Sequence, residues 1–447
     1  MAGTTLSPLD YGRLLMAVTL GFHSLFIILG VGLSAMMSIA ELLGILKKRN
    51  EFSLMARRWS YGFSIMFGVG AASGTAVAFE LYLLWPTFMN IATRVVALPF
   101  FLEVVFGFFP EAIFLPIYYY GWNRFSKPIY HWLASLPIVI GSALSGFLIV
   151  TVNSFMNTPA GFSYTINAQG LITSVYNVNP IAAMFNPATP FETSHVVGAT
   201  YVGTAFMIAS IYAYRIIRGD RSNYNILAFK FAVVFGFISS ALDGIAGSLS
   251  ATFLSQYQPE KFAAMEELYR TQSYAFEKFF DYTIPVRGLM SFLADGRWNA
   301  TMTGLDNFPA STWPDVPLVH AAFDLMSAFG FYFVIVSFAA IVALSLLRRH
   351  ISLVNLAYYA VLPSGPLAYL TFLLGWIVDE EGRQPWIIYN LMTVKQGFTT
   401  SYSAVPLLFF SFLTFYTLLT VITVYILQRY YKAHPLNKGN GSVYGGD

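Results

Sequence analysis

Nine stretches of this chain stay apolar for roughly 20 residues or longer, the length a helix needs to cross the hydrocarbon of a bilayer. They cover about 14–42, 60–84, 95–121, 129–152, 194–217, 227–250, 318–347, 353–378 and 402–428. The pattern predicts an all-α integral membrane protein of about nine transmembrane helices, with residues 1–447 forming a single membrane domain. Two long polar segments interrupt it. The first, about 153–193, has no Lys or Arg and is rich in Asn, Thr and Pro. The second, 251–317, mixes charges with aromatic residues, among them Lys261, Glu266, Arg270, Tyr274 and Trp298. A structureless loop of that length is uncommon unless it is functional. There is no internal repeat and no low-complexity segment. Nor are two helices broken at matching positions in two halves, as a transporter with inverted repeats tends to show.

The sharpest break closes the eighth stretch. The apolar run stops at Asp379-Glu380-Glu381, and Gly382 and Pro385 then forbid the helix to continue. Carboxylates at a helix C-terminus oppose the macrodipole, which favours cations there. Something local must compensate, and Arg383, a metal or a cofactor can do so. A plain polar cap where a helix leaves a membrane explains Asp379 well and the following Gly-Arg-Gln-Pro-Trp run poorly.

Composition agrees with the hydropathy. The 447 residues are 56% hydrophobic, 17% aromatic and 11% charged, with mean hydropathy +0.60; a soluble domain carries about 25% charged residues. A net charge of +3, dispersed along the chain, gives no reason to expect nucleic acid. With no cysteine, disulfides, thiolate metal sites and iron–sulfur clusters are excluded. Any iron must be held by His, Met or carboxylate. Residues 1–10 lack a basic n-region and the first apolar run is long enough to span, so no cleavable signal peptide is expected. One set of connecting segments, with the tail, carries 16 of the 25 Lys and Arg and the other set 9. The positive-inside rule then puts the N-terminus outside and the C-terminus in the cytoplasm.

Ionisable groups at membrane depth are costly, so each is a functional candidate. His131, His350 and His434 fall at inner edges or in the tail and read as interfacial. His23, His195 and His320 are more informative, although a histidine hydrogen-bonded to a neighbouring helix is the plain alternative for His23 and an interface residue the plain alternative for His195. Glu103 and Glu111 share one apolar stretch, about 2.2 turns, 12 Å and 80° apart on a regular helix. That spacing suits two stations on one path. Burial raises carboxylate pKa values, so both are expected to hold protons at neutral pH. His23, Glu103, His195, Met326 and Glu380 all fall in the outer half or at the outer edge. Imidazole and thioether are common axial ligands of heme iron, although a methionine alone means nothing in so apolar a chain.

The run Glu380-x-Gly382-Arg383-Gln384-Pro385-Trp386 resembles the signature of subunit I of cytochrome bd-type quinol oxidases, and the likeness extends from Arg13 to the last apolar stretch. The resemblance implies that His195 and Met326 are the axial ligands of a low-spin heme b. It implies that His23 and Glu380 are ligands of a high-spin heme b and a heme d (or a further b-type heme), the pairing left open. Glu103 and Glu111 match the paired glutamates beside the high-spin site, and Arg383 belongs to the signature itself. Gln258-Pro-Glu-Lys261-Phe-Ala-Ala-Met-Glu266 resembles the motif whose lysine and second glutamate contact quinol, making 251–317 the outer quinol-binding loop, of the short-loop kind. The five-residue spacing of Lys261 and Glu266 is a poor helical salt bridge, which leaves a joint ligand contact credible. Two positions depart. Phe79-Glu80-Leu81-Tyr82-Leu83-Leu84-Trp85 stands where the family shows Phe-Gly-Thr-Asn-Trp, and Asp324 stands where an Arg often precedes the ligand methionine by two.

The resemblance implies a terminal oxidase subunit in the plasma membrane of a prokaryote. It would oxidise quinol at the outer loop and reduce oxygen to water without pumping, with protons arriving from the inner side through Glu111, Glu103, Ser142 and Ser145. An obligate second subunit is expected, giving a heterodimer, with room for a small accessory peptide. The alternatives are an oxidase with b-type hemes only, or a subunit passing electrons from quinol to another acceptor. A secondary transporter would explain buried carboxylates but neither His195 with Met326 nor the Gly-Arg-Gln-Pro-Trp run.

Overall fold

The computed structural model describes residues 6–168 and 170–434. Among them nine helices are long and apolar enough to cross a membrane: α1 (Pro8–Lys47), α2 (Asn50–Leu84), α3 (Ala97–Tyr120), α4 (Pro128–Asn157), α5 (Thr189–Ile217), α6 (Asn223–Tyr257), α7 (Val316–Ser345), α8 (Ile351–Glu381) and α9 (Tyr402–Ala433). Several begin or end beyond the apolar run because the flanking polar residues are themselves good caps. Ser7 accepts from the Asp10 N–H while Asp10 accepts from the Ser7 N–H, with Pro8 at the first turn, so α1 starts six residues before the apolar run at 14. Asp315 caps α7 by accepting from the Leu318 N–H at 3.2 Å. As Gly382 and Pro385 require, α8 ends at Glu381.

Inside α3 the ladder is π-helical over Glu103–Phe108, where the Phe109 N–H reaches the Val104 carbonyl. Pro110 has no N–H to give to the preceding turn, which frees that turn to widen. The 80° offset drawn from a regular helix for Glu103 and Glu111 therefore does not hold.

The chain divides into two compact units. One takes residues up to 93, 101–146 and those from 397 on; the other takes 94–100 and 147–396. Within the first, α1 packs along α2, and both meet α9. The α3–α4 crossing is close enough to need glycine. A Cβ on Gly107 would lie 2.9 Å from the Ser145 Cα, and one on Gly141 would lie 2.8 Å from the Gly107 carbonyl oxygen. The same unit corrects the reading of His131 as interfacial. It is fully buried, its Nδ1 2.6 Å from Glu41 Oε1 of α1 and its Nε2 2.8 Å from the Tyr118 carbonyl oxygen. A carboxylate on α1 and a carbonyl on α3 give both ring nitrogens partners, which makes the burial tolerable.

In the second unit α5 packs on α6 and α8, and α7 on α8. The long polar segments are not structureless. Strand Ser163–Ile166 pairs antiparallel with strand Ile172–Tyr176, Tyr164 opposite Val175. The 251–317 segment carries helices Pro259–Met265 and Leu289–Asp295 and two-residue strand pairs. Phe262, Met265, Leu268, Met290 and Leu305 form its own core, closed by Val319 of α7 and Leu374 and Val378 of α8.

The crossing geometry gives a test. Gly107→Val forces a side chain against the α4 backbone and should destabilise the protein by about 1–3 kcal/mol, read as a lower thermal midpoint in detergent. Gly68→Ala, where a Cβ meets nothing within 4 Å, should leave the midpoint unchanged.

Candidate functional site

The end of α8 sits in a buried charge network of the second unit. Arg383, 1% exposed, donates from Nη2 to Glu380 Oε2 at 2.5 Å and from Nη1 to the Asn157 and Asn153 side-chain oxygens at 2.8 and 3.0 Å. Its Nη1 also lies 3.8 Å from Asp379 Oδ2. The compensation that the stranded carboxylates demanded thus comes from Arg383, and Lys261 adds to it. Lys261, 2% exposed, donates from Nζ to Asp379 Oδ1 at 2.7 Å and to Asn157 Oδ1 at 3.0 Å. Asn157 in turn donates to Glu192 Oε1 at 2.7 Å, and Asn153 to Glu380 Oε1 at 3.0 Å. Arg383 Nε and the Trp386 indole N–H are buried donors with no acceptor.

Lys261 and Glu266 do not meet. Both lie at the short helix Pro259–Met265, yet Glu266 faces Glu277, with Asp324 and His320 nearby. His320 is held by the Met265 carbonyl at 2.8 Å, and its Nε2 is 3.3 Å from Asp324 Oδ2. Asp324 accepts from the Phe280 N–H at 2.5 Å, so the residue that departs from the expected cation fastens the loop to α7.

His195 lies in the second turn of α5, its Nδ1 3.0 Å from Asp243 Oδ1 of α6. A carboxylate can only accept, so Nδ1 carries a proton, and in the neutral ring Nε2 keeps its lone pair. Gly247 lies beside the ring: a Cβ there would be 3.2 Å from its Cε1. Met326 lines up with a glycine too, Gly375, whose Cβ would meet Sδ at 3.3 Å.

In the first unit His23 repeats the arrangement. Its Nδ1 is 2.8 Å from Ser73 Oγ, whose own proton goes to the Val69 or Gly70 carbonyl at 2.9 or 3.1 Å. With the Ser73 proton on one of those carbonyls, Ser73 accepts from Nδ1 and Nε2 keeps its lone pair. A Cβ on Gly74 would be 3.1 Å from the ring. Glu103 Oε1 accepts from Ser145 Oγ at 2.6 Å; Glu111 is buried against Gly141; Ser142 donates to Ser34 at 3.0 Å. Among the described residues no three His, Asp or Glu side chains converge as a metal-ion site, and an iron held in a macrocycle needs only one or two of them.

Sequence reasoning passed over Asp243, Asn153, Asn157, Glu192, Glu277 and Glu41. Asp243 and Glu41 were visible as ionisable residues in apolar runs, and Asn153 and Asn157 as an i, i+4 pair on one helix face.

The chain belongs to the cytochrome bd terminal oxidase subunit I family, whose profile matches residues 11–435. It is 34% identical to a Bacillus subtilis (strain 168) protein provisionally named cytochrome bd menaquinol oxidase subunit I, over 97% of this chain and 98% of that one. It is 29% identical to cytochrome bd ubiquinol oxidase subunit 1 of the same organism, over 96% and 94% of the two chains. The structure of bd oxidase from Geobacillus thermodenitrificans superposes with TM-score 0.88 at 36% identity, covering 96% of this chain and 99% of that one. The chain is accordingly a multi-pass plasma-membrane protein of a family that carries hemes and works with a second subunit.

The loop carboxyls set a pH dependence. Burial pushes Glu266 well above the ordinary carboxylate range, with Glu277 and Asp324 adding to it. Burial also pushes Glu277 from 4.5 up to about 7, helped by Asp324 and opposed by His320. A folded loop that holds protons the unfolded chain would release is stabilised in full below about pH 4.5, and the contribution is lost as pH rises through about 7. Protection of the 251–317 amides, measured relative to their intrinsic exchange rate at each pH, should therefore fall between pH 5 and 8, on the order of several-fold, and Glu277→Gln should flatten that dependence.

Proposed function

We propose that this chain is the heme-bearing, quinol-oxidising subunit of a quinol:oxygen oxidoreductase. The observation that carries the reading is the shared state of His23 and His195. Each has Nδ1 bonded to a side-chain oxygen on the adjacent helix, each has Nε2 without a hydrogen-bond partner among the described residues, and each has a glycine beside the ring where a Cβ would crowd it. That is the preparation of a metal-ligating imidazole. The buried Arg383 Nε and Trp386 N–H fit the same need, since a macrocycle's carboxylates would satisfy them.

Heme, when bound, supplies electron transfer and the reduction of oxygen. His195 Nε2 and Met326 Sδ would hold a low-spin heme b. His23 and Glu380 would hold a high-spin heme b and a heme d, or a further b-type heme. Asn153 and Arg383 fix both Glu380 oxygens, so this ligand is oriented in advance. Lys261 is the donor for a quinol oxygen, which would replace Asp379 as its partner, and the Glu266–Glu277 pair receives protons that quinol loses. Lys and Arg asymmetry puts the N-terminus and the 251–317 loop outside, so those protons leave outward. Glu111 and Glu103, with Ser145 as donor to Glu103, carry protons from the cytoplasmic side for water formation. Charge separation then needs no pump. The second subunit completes an obligate heterodimer.

Reduced-minus-oxidised spectra and pyridine hemochrome analysis of the purified complex test this. His195→Ala should remove the sharp low-spin band and abolish quinol oxidation; an unchanged band in both His195→Ala and Met326→Ala would overturn the assignment. Glu111→Gln keeps shape without the titratable proton. It should leave heme spectra near native and slow oxygen reduction about 10²-fold or more, whereas full turnover with undiminished proton uptake would move the path elsewhere.

A further inference from the structure

Glu80, at the departure from the family's Phe-Gly-Thr-Asn-Trp run, lies on α2 in the first unit and is 1% exposed. Its Oε1 accepts from Thr19 Oγ1 of α1 at 2.7 Å and from the Tyr416 hydroxyl of α9 at 3.2 Å. Its Oε2 is buried and has no hydrogen-bond partner. Among the described residues no Lys or Arg pairs with it. The titratable group facing it is Tyr416 from α9, and His23 lies one turn beyond Thr19 on α1. Neither stability nor packing accounts for such a residue. A buried carboxyl with an orphaned oxygen costs more than the glutamine that would keep the Oε1 contacts.

Its place on the α1–α2 seam does account for it. Thr19 and His23 are four residues apart on α1, about 6 Å along the axis. Ser73, which holds His23 Nδ1, and Glu80 are seven residues apart on α2 and share a face. The His23–Ser73 and Thr19–Glu80 contacts are therefore neighbouring rungs between the same two helices.

We propose that Glu80 is a proton-exchanging residue coupled to the redox state of the heme held by His23. This rests on the reading of His23 as an iron ligand. Heme held by His23 would supply the electron, and a negative charge gained there would raise the proton affinity of the Glu80 carboxylate through a poorly screening medium. The carboxylate would then gain one solvent-derived proton at Oε2, forming an O–H bond, and give it up once that charge is lost. Oε1 keeps its two donors in both states, so the exchange needs no rearrangement of Thr19 or Tyr416. Glu80 touches no reacting atom. It sets the potential of the heme beside it and supplies a charge-compensating proton independent of Glu103 and Glu111.

The test is the pH dependence of each heme's midpoint potential in the purified two-subunit complex. The high-spin heme associated with His23 should show a potential that falls with rising pH. Glu80→Gln should flatten that slope and leave the slope of the His195/Met326 heme unchanged. The reduced-minus-oxidised infrared spectrum should contain a deuterium-sensitive carboxyl C=O band that Glu80→Gln removes. An unaltered slope in the variant, or no such band in the native complex, overturns the proposal. Should Glu80→Gln fail to assemble, Tyr416→Phe takes one donor from Oε1 and must shift the band; a band that stays in place overturns the proposal equally. Retention of every high-spin band in His23→Ala would instead refute the ligand reading on which it stands.

Discussion

A charge buried in an apolar setting must be neutralised by a partner from elsewhere in the chain, and this constraint organises the second unit. Arg383, Lys261, Asp379, Glu380 and Glu192 come from distant segments, yet all converge on Asn157 and its neighbour Asn153. Asn157 accepts from both cations and donates to two carboxylates, which no charged side chain could do. Breaking one member of such a set strands its partner at a cost of about 3–5 kcal/mol. The end of α8, the end of α4 and the start of the 251–317 segment are thereby fixed together, whatever else binds nearby.

The same arrangement prepares chemistry. A glutamate free to rotate would be a poor ligand, whereas Glu380 has one oxygen held by Asn153 and the other by Arg383. Asp243 and Ser73 each hold Nδ1 of a histidine and so orient its ring, and Asp243, a carboxylate, also makes Nδ1 of His195 the donor. Asn153, Asp243 and Ser73 sit on long helices, so helix packing sets their positions, whereas Arg383 lies in the turn that follows α8.

The nine spans were legible from hydropathy alone, since length and apolar content decide whether a helix can cross a bilayer. Their ends were less so, because the caps at Ser7 and Asp315 are polar and read as loop. The π-helical turn at Glu103–Phe108 escaped a calculation that assumed 3.6 residues per turn. Lys261 and Glu266 show the limit of spacing arguments most clearly. Five residues exclude a regular salt bridge, but they also set two side chains about 140° apart around a helix. The structure accordingly sends Lys261 to Asp379 and Glu266 to Glu277. Which distant carboxylate each would meet depended on tertiary contacts that local pattern does not encode. His131 was misjudged for the same reason, its partner Glu41 being 90 residues away.

Asp324 joins these threads. A cation two residues before Met326 would leave the Phe280 N–H and His320 without the carboxylate that now faces them. The aspartate exchanges a positive charge near Met326 for a hydrogen bond that pins the 251–317 segment to α7. The helix carrying Met326 and the loop carrying Glu266 are therefore mechanically joined at one residue. Glu266, Glu277 and Asp324 then share a small volume in which only some can be ionised together. Protonation of the loop is thus tied to its attachment to α7.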